Sequence, residues 1–294
     1  MTRVGIVGLG RMGSRIAQRL TETGFEVTGW DRNAESVRAL RDAGIAVAAS
    51  ARAVAEAGEF VLSSVTEDGG ARSVFTGPDG FLEADVRGKL FIEMSTLRPQ
   101  TGRELATLVE ARGGAFIDSP VLGSLTSIPR GALQALVGGR SEDVERARPI
   151  HAPLTRRVDH MGAVGTGYAM KLVANVGLAV YLEALGEALA MGGGEGLTLD
   201  AMLDVLTNSP VATTWITNRR SILTGEANDV TLDIRTMRKD VVSALATGSK
   251  SGVSMPVTAG ALAAFSAAVA AGWGDGDIGQ IARFVREEIV QRFT

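Results

Sequence analysis

Gly167, Lys171 and Asn175 stand at four-residue intervals in the run Gly165-Thr-Gly-Tyr-Ala-Met-Lys-Leu-Val-Ala-Asn175. In a helix that spacing places a small residue, an amine and an amide on one face, a turn apart. The glycine leaves room for a ligand, the amine can give or take a proton, and the amide can orient either. The residues that follow, Leu172 to Leu189, do not keep to one apolar stripe. A helix of that kind is buried on most sides, and an unpaired amine in it is costly. Lys171 could equally snorkel to solvent from near the helix start. Asn175, Glu183 and Glu187 interrupt the run, which speaks against a membrane span.

The rest of the inventory narrows the chemistry. The chain has no cysteine and two histidines, His151 and His160. A thiol nucleophile, a disulfide framework, a Ser/His/Asp triad and a His- or Cys-built metal site are therefore not expected, and acid–base work falls to Lys, Asp, Glu or Tyr. A net charge of −3 without a long basic run argues against a nucleic-acid or anionic-membrane partner. The first residues enter a strand at once, so no signal peptide is expected and a cytoplasmic location is the default.

A second stretch carries binding chemistry. Val4–Val7 reads as a buried strand, followed by Gly8-Leu9-Gly10-Arg11-Met12-Gly13, a helical pattern to Gly24, and a second strand closed by Asp31. This is G-x-G-x-x-G in a strand–turn–helix–strand unit. The first glycine makes the turn, the second lets backbone approach a pyrophosphate, and the third packs helix on strand. The helix N-terminus supplies N–H donors to phosphate. Asp31 suits the adenosine ribose hydroxyls and favours NAD(H). Arg32 beside it could meet the 2′-phosphate of NADP(H), or be a solvated loop charge.

These residues need a scaffold. Strand and helix patterns alternate from residue 1 to about 148, as in a doubly wound, mostly parallel α/β Rossmann sheet. Ligands of such sheets bind beyond the carboxyl ends of the strands. That end carries Gly8–Gly13, Asp31, Val65-Thr66, Ser95-Thr96 and Asp118–Ser124. One long helix is expected from Gly167 to Met191, stopped by Gly192-Gly193-Gly194. Beyond it only helical patterns follow, the last over Asp277–Phe293. The expected division is a dinucleotide-binding domain over 1–162 and an all-α domain over 163–294.

Five motifs in order resemble the β-hydroxyacid dehydrogenases, the family of 3-hydroxyisobutyrate dehydrogenase and tartronate semialdehyde reductase. They are Gly8–Gly13, Met94-Ser95-Thr96, Asp118-Ser-Pro-Val-Leu-Gly-Ser124, Gly165-x-Gly-x-x-x-Lys171-x-x-x-Asn175 and Lys239-Asp240. The resemblance implies NAD(P)-linked interconversion of a short 3-hydroxy acid and its aldehyde or keto acid, in a homodimer or homotetramer. It implies Lys171 as proton donor and acceptor and Asn175 as its companion. Ser95, Thr96, Leu122, Gly123 and Ser124 would meet the substrate, and Val65, Thr66, Thr96 and Lys239 the cofactor. Two departures stand out. Leu122 replaces the serine of the family's usual D-A-P-V-S-G-G loop and Ser124 its second glycine. Leu232 stands where an aromatic is frequent. The backbone amides of Gly123 and Ser124 can still hold an anion, and the Ser124 hydroxyl can join them. An imine reductase on the same scaffold and a non-catalytic dinucleotide-binding module are the alternatives; Lys171 argues against the first, and Lys171 with Asn175 against the second.

Overall fold

A computed structural model describes residues 1–291. Its chain divides into two compact units, Met1–Leu172 and Val173–Thr294.

The first unit is built on one sheet. β1 (Arg3–Val7), β2 (Glu26–Trp30), β3 (Ala46–Val47), β4 (Phe60–Ser63), β5 (Leu90–Glu93) and β6 (Ala115–Asp118) run parallel. β7 (Val121–Leu122), β8 (Leu133–Gly138) and β9 (Thr155–Gly162) complete it in the order β3-β2-β1-β4-β5-β6-β8-β7, with β9 beside β8. β8 is antiparallel to β6 and β7, and β9 is parallel to β8. The order reverses beside β1, so the Gly8–Gly13 turn sits at the topological switch point where such sheets take their ligand. β4, β5 and β6 are buried along their whole length. Period-2 alternation sends Leu62, Ile92 and Ile117 to one apolar core and Val61, Phe91 and Phe116 to the other.

The helix Thr166–Gly194 belongs to both units by sequence. The two units divide within this helix, whose first turns are bound to the sheet. Asp118, at the end of β6, accepts the N–H groups of Gly165 and Tyr168 at 2.7 and 2.8 Å. The three glycines expected to stop the helix are its last residues. Gly192 packs where a Cβ would lie 2.4 Å from the Met202 sulfur, and the left-handed residue that ends the turn is Gly196 at φ +86. The helix is also less covered than its composition suggests, with Val173 and Met191 62% and 71% exposed. By length and composition it could cross a membrane. Its Ala179 and Leu182 instead lie in an apolar core with Met237, Val241 and Phe265.

The second unit continues with helices over Leu199–Thr207, Thr214–Asn218, Arg220–Thr224, Ile234–Lys250, Pro256–Ala270 and Gln280–Gln291. Thr198, Thr213 and Asp233 cap three of them by accepting a backbone N–H three residues on. Among the described residues no strand follows Gly162; a single bridge joins Asp233 to Asp277. The helix expected over Asp277–Phe293 starts at Gln280, because buried Asp277 binds the amide and hydroxyl of Thr231. Phe293 lies outside the described residues.

Candidate active site

The glycine turn after β1 is shaped by close approach. Gly8 has φ +91, and a Cβ there would lie 2.1 Å from the carbonyl oxygen of Ser64. A Cβ on Gly13 would lie 1.8 Å from the carbonyl oxygen of Gly8. Gly10 faces open space and is the N-cap of the Arg11–Glu22 helix, whose first turn no side chain caps. Uncapped N–H groups at an open helix end suit a pyrophosphate, so these residues fit the dinucleotide. Leu9 and Met12 point into the core, so only their backbone can serve such a ligand, while the Arg11 side chain is exposed. Asp31 is anchored: its carboxylate accepts the N–H of Leu9 at 2.6 Å and that of Asn33 at 2.8 Å. The groove beyond it is lined by Trp30, Arg32, Arg38 and Arg41.

At the end of β5 the side chains gather around a buried carboxylate. Ser95 is buried, and its hydroxyl accepts the Val65 N–H at 2.8 Å while bonding to the Glu93 carboxylate. It faces inward and holds the neighbouring loop. Thr96 beside it is half-buried and Thr66 exposed. Glu93 is fully buried and also receives the Ser63 hydroxyl at 3.1 Å and the Tyr168 hydroxyl at 2.5 Å. Burial pushes the Glu93 carboxyl up to about 7, against the pull of these donors. Burial likewise pushes Asp118 up to about 6, against its backbone N–H donors.

Lys171 is half-buried one turn after Gly167. Asn175, a turn further on, is buried and donates its amide N–H to Asp240 at 2.6 Å. Lys239 pairs with the other oxygen of Asp240 at 2.5 Å. Tyr168 is wholly buried and its phenol is held well above its ordinary range by burial and by Glu93, so it stays a neutral donor. His151 is buried against the Ser119 hydroxyl at 2.9 Å, and burial lowers it to about 4, which leaves it neutral and closed to solvent. On the 121–124 loop Leu122 is half-buried and Gly123 exposed. Ser124 is spent locally: its hydroxyl meets Thr126 and Ser127, and its N–H reaches Ser127 Oγ at 3.3 Å, in a capping box. The expected anion contact from Ser124 therefore competes with bonds already made.

Residues 3–162 match the family model for the NAD binding domain of 6-phosphogluconate dehydrogenase. Residues 165–285 match that for the NAD-binding of NADP-dependent 3-hydroxyisobutyrate dehydrogenase. Glyoxylate/succinic semialdehyde reductase 1 of Arabidopsis thaliana is 30% identical over 283 residues, 96% of this chain and 98% of that protein. The chain belongs to the β-hydroxyacid dehydrogenase family. The 3-hydroxyisobutyrate dehydrogenase of Pseudomonas aeruginosa is 34% identical over 210 residues, covering 71% of this chain and 70% of that protein. The Mycobacterium tuberculosis 3-hydroxyisobutyrate dehydrogenase, solved with L-serine, superposes with a TM-score of 0.87 at 27% identity, over 97% of this chain and 99% of that one. The protein is thus an oxidoreductase of the β-hydroxyacid dehydrogenase type that uses a nicotinamide dinucleotide.

Two elements of this β-hydroxyacid dehydrogenase escape a reading of the sequence by motif. Asp118 caps the long helix from 47 and 50 residues away. Glu93 gathers Ser63, Ser95 and Tyr168. The signal for Glu93 is a carboxylate closing the otherwise apolar strand Leu90-Phe-Ile-Glu93, where an ionisable group is rare unless partnered.

Proposed function

We propose that this chain interconverts a short 3-hydroxy acid and its semialdehyde or keto acid, with Lys171 as general acid and base. The observation that carries this reading is the company Lys171 keeps. It is a half-buried amine one helical turn before the buried Asn175–Asp240 pair, while Tyr168 and His151 are sealed from solvent. Bound NAD(P) supplies or accepts hydride at the substrate carbon. In the reducing direction the Lys171 ammonium gives its proton to the carbonyl oxygen as the C–H bond forms. In the oxidising direction the neutral amine takes the hydroxyl proton. Asn175, fixed by Asp240, would orient the amine or the substrate. Thr96 and the Gly123 amide would bound the substrate, and Gly8–Gly13, Asp31, Arg32, Val65, Thr66 and Lys239 the cofactor.

The names of the relatives support short semialdehydes and hydroxy acids as the substrate class. The anchored charge of Asp31 favours NADH, and Arg32, Arg38 and Arg41 leave NADPH usable. Membership of the family supports a homodimer or homotetramer. The test is oxidation of NADH and of NADPH with succinic semialdehyde, glyoxylate, methylmalonate semialdehyde and a cyclic imine. Turnover of an aldehyde or keto acid supports the reading. Turnover of the imine alone makes the protein an imine reductase, and turnover of none leaves a binding module.

A further inference from the structure

We propose that Glu93 is a positioning residue of this reaction: through Ser95 and Tyr168 it ties the loop carrying Thr96 to the helix turn carrying Lys171. The proposal rests on the function proposed above, and every group in it belongs to the first unit.

Three features of the fold converge on this tie. The sheet register aligns Ser63, Glu93 and Asp118 side by side at the ends of β4, β5 and β6, so their side chains share one face. On that face Glu93 takes Ser63 and Ser95 with one carboxylate oxygen and Tyr168 with the other. Gly102, in the Pro99–Glu110 helix, makes room for the Tyr168 ring: a Cβ there would lie 2.2 Å from Tyr168 Cε2. Any larger residue would push the phenol off the carboxylate. The backbone of the same tyrosine is held by Asp118. Tyr168 is thus fixed at both ends, three residues before Lys171.

The other end of the tie is the loop. Ser95 Oγ bonds to Glu93, accepts the Val65 N–H and directly precedes Thr96. One carboxylate therefore sets two strand ends and the start of a helix together. A buried carboxylate with several neutral donors is held rigidly, because each donor left unpaired there costs free energy. Misplacement of reacting groups by about 1 Å can cost roughly 100-fold in rate. A tie between two site-bearing segments is where such misplacement would begin.

Tyr168→Phe removes only the hydroxyl and keeps the ring under Gly102; Glu93→Gln keeps the shape and removes the charge. Each is expected to lower kcat roughly 10- to 100-fold while the cofactor Kd, from fluorescence titration, stays within about threefold. The double variant should be no slower than the slower single, because the two residues act as one unit. Hydrogen–deuterium exchange should quicken in both the 94–98 and the 166–172 segments of Tyr168→Phe. A folded Tyr168→Phe that keeps more than half of wild-type kcat overturns the proposal, even if Glu93→Gln does not fold. So do losses that multiply in the double variant, or exchange that quickens in one segment alone. A wild type inactive on the whole panel instead overturns the proposed function, and this proposal with it.

Discussion

Glu93 and Asp118 are partners in the β5–β6 register, and both bind Tyr168: Glu93 takes its hydroxyl and Asp118 its backbone N–H. Two buried carboxyls on adjacent strands thus hold the first turn of the helix that carries Lys171. Each is raised by burial, so holding the helix there costs stability whenever both are ionised.

That cost has a sign in pH. The folded Glu93 carboxyl titrates at about 7 against an ordinary 4.5, so the folded chain holds this proton more tightly than the unfolded one. Its contribution is fully present below pH 4.5 and is lost as pH rises through 7. The shift corresponds to about 3 kcal/mol at most. Asp118 acts with the same sign in a lower window, and neutral His151 with the opposite sign as pH falls below its ordinary value. Both are common to wild type and Glu93→Gln. Glu93→Gln should therefore gain stability relative to wild type between pH 5 and pH 8, read from urea midpoints at each pH. A difference that is flat over that range would mean Glu93 keeps one protonation state throughout.

Cofactor choice turns on Asp31. Its carboxylate is pinned by the Leu9 and Asn33 amides, so its charge cannot swing away from a 2′-phosphate. Asn at this position still accepts from Leu9 but carries no charge, leaving Arg32, Arg38 and Arg41 unopposed in the groove. Wild type should use NADH at least as well as NADPH, and Asp31→Asn should raise the NADPH/NADH ratio of kcat/KM by about tenfold, or 1.4 kcal/mol. A wild type that prefers NADPH tenfold would reverse the assignment of Asp31.

Leu122 should set substrate polarity. It occupies the place of a hydroxyl residue in the family's usual loop, and Ser124 cannot fully replace it because its hydroxyl and amide serve the capping box. A lost bond to a charged group is worth ~1.5–3 kcal/mol. Less polar 3-hydroxy acids should be turned over better than tartronate-like ones, and Leu122→Ser should narrow that gap. If Leu122→Ser leaves the ranking of a graded panel unchanged, the side chain does not reach the substrate.

What could be read in advance follows the range of the physics involved. The glycine turn, Asp31 and the α/β alternation are local, so spacing and period revealed them. The 166–194 helix was found by its apolar run, but its end was misplaced. Gly192 is packed against Met202, so tertiary contact keeps the helix going past a residue that usually stops it. β9 leaves little signal because none of its residues, Thr155 to Gly162, is fully buried; it lacks apolar alternation and pairs only along β8. Ser95 stands beside Thr96 in the same motif, and only the packed structure shows a carboxylate beneath it. Contacts such as Tyr168 to Glu93, 75 residues apart, leave no spacing to detect.

Lys171 carries the sharpest prediction. The structure removes one competitor, since Tyr168 is sealed and bonded to Glu93, and leaves Lys239 engaged with Asp240. Lys171→Met keeps the length and apolar stem of the side chain while deleting the proton. The anchors of its helix turn, Asp118 and Glu93, are untouched, so the variant should fold and bind NADH nearly as wild type does. A positioned general acid contributes ~10²–10⁴ in rate, and kcat should fall by that factor. The measurement is kcat beside cofactor Kd, on protein shown to be folded by circular dichroism. Should the variant keep more than about a tenth of wild-type kcat, Lys171 is not the acid. Lys239 then becomes the candidate, because it is the amine beside the Asp240 that holds Asn175.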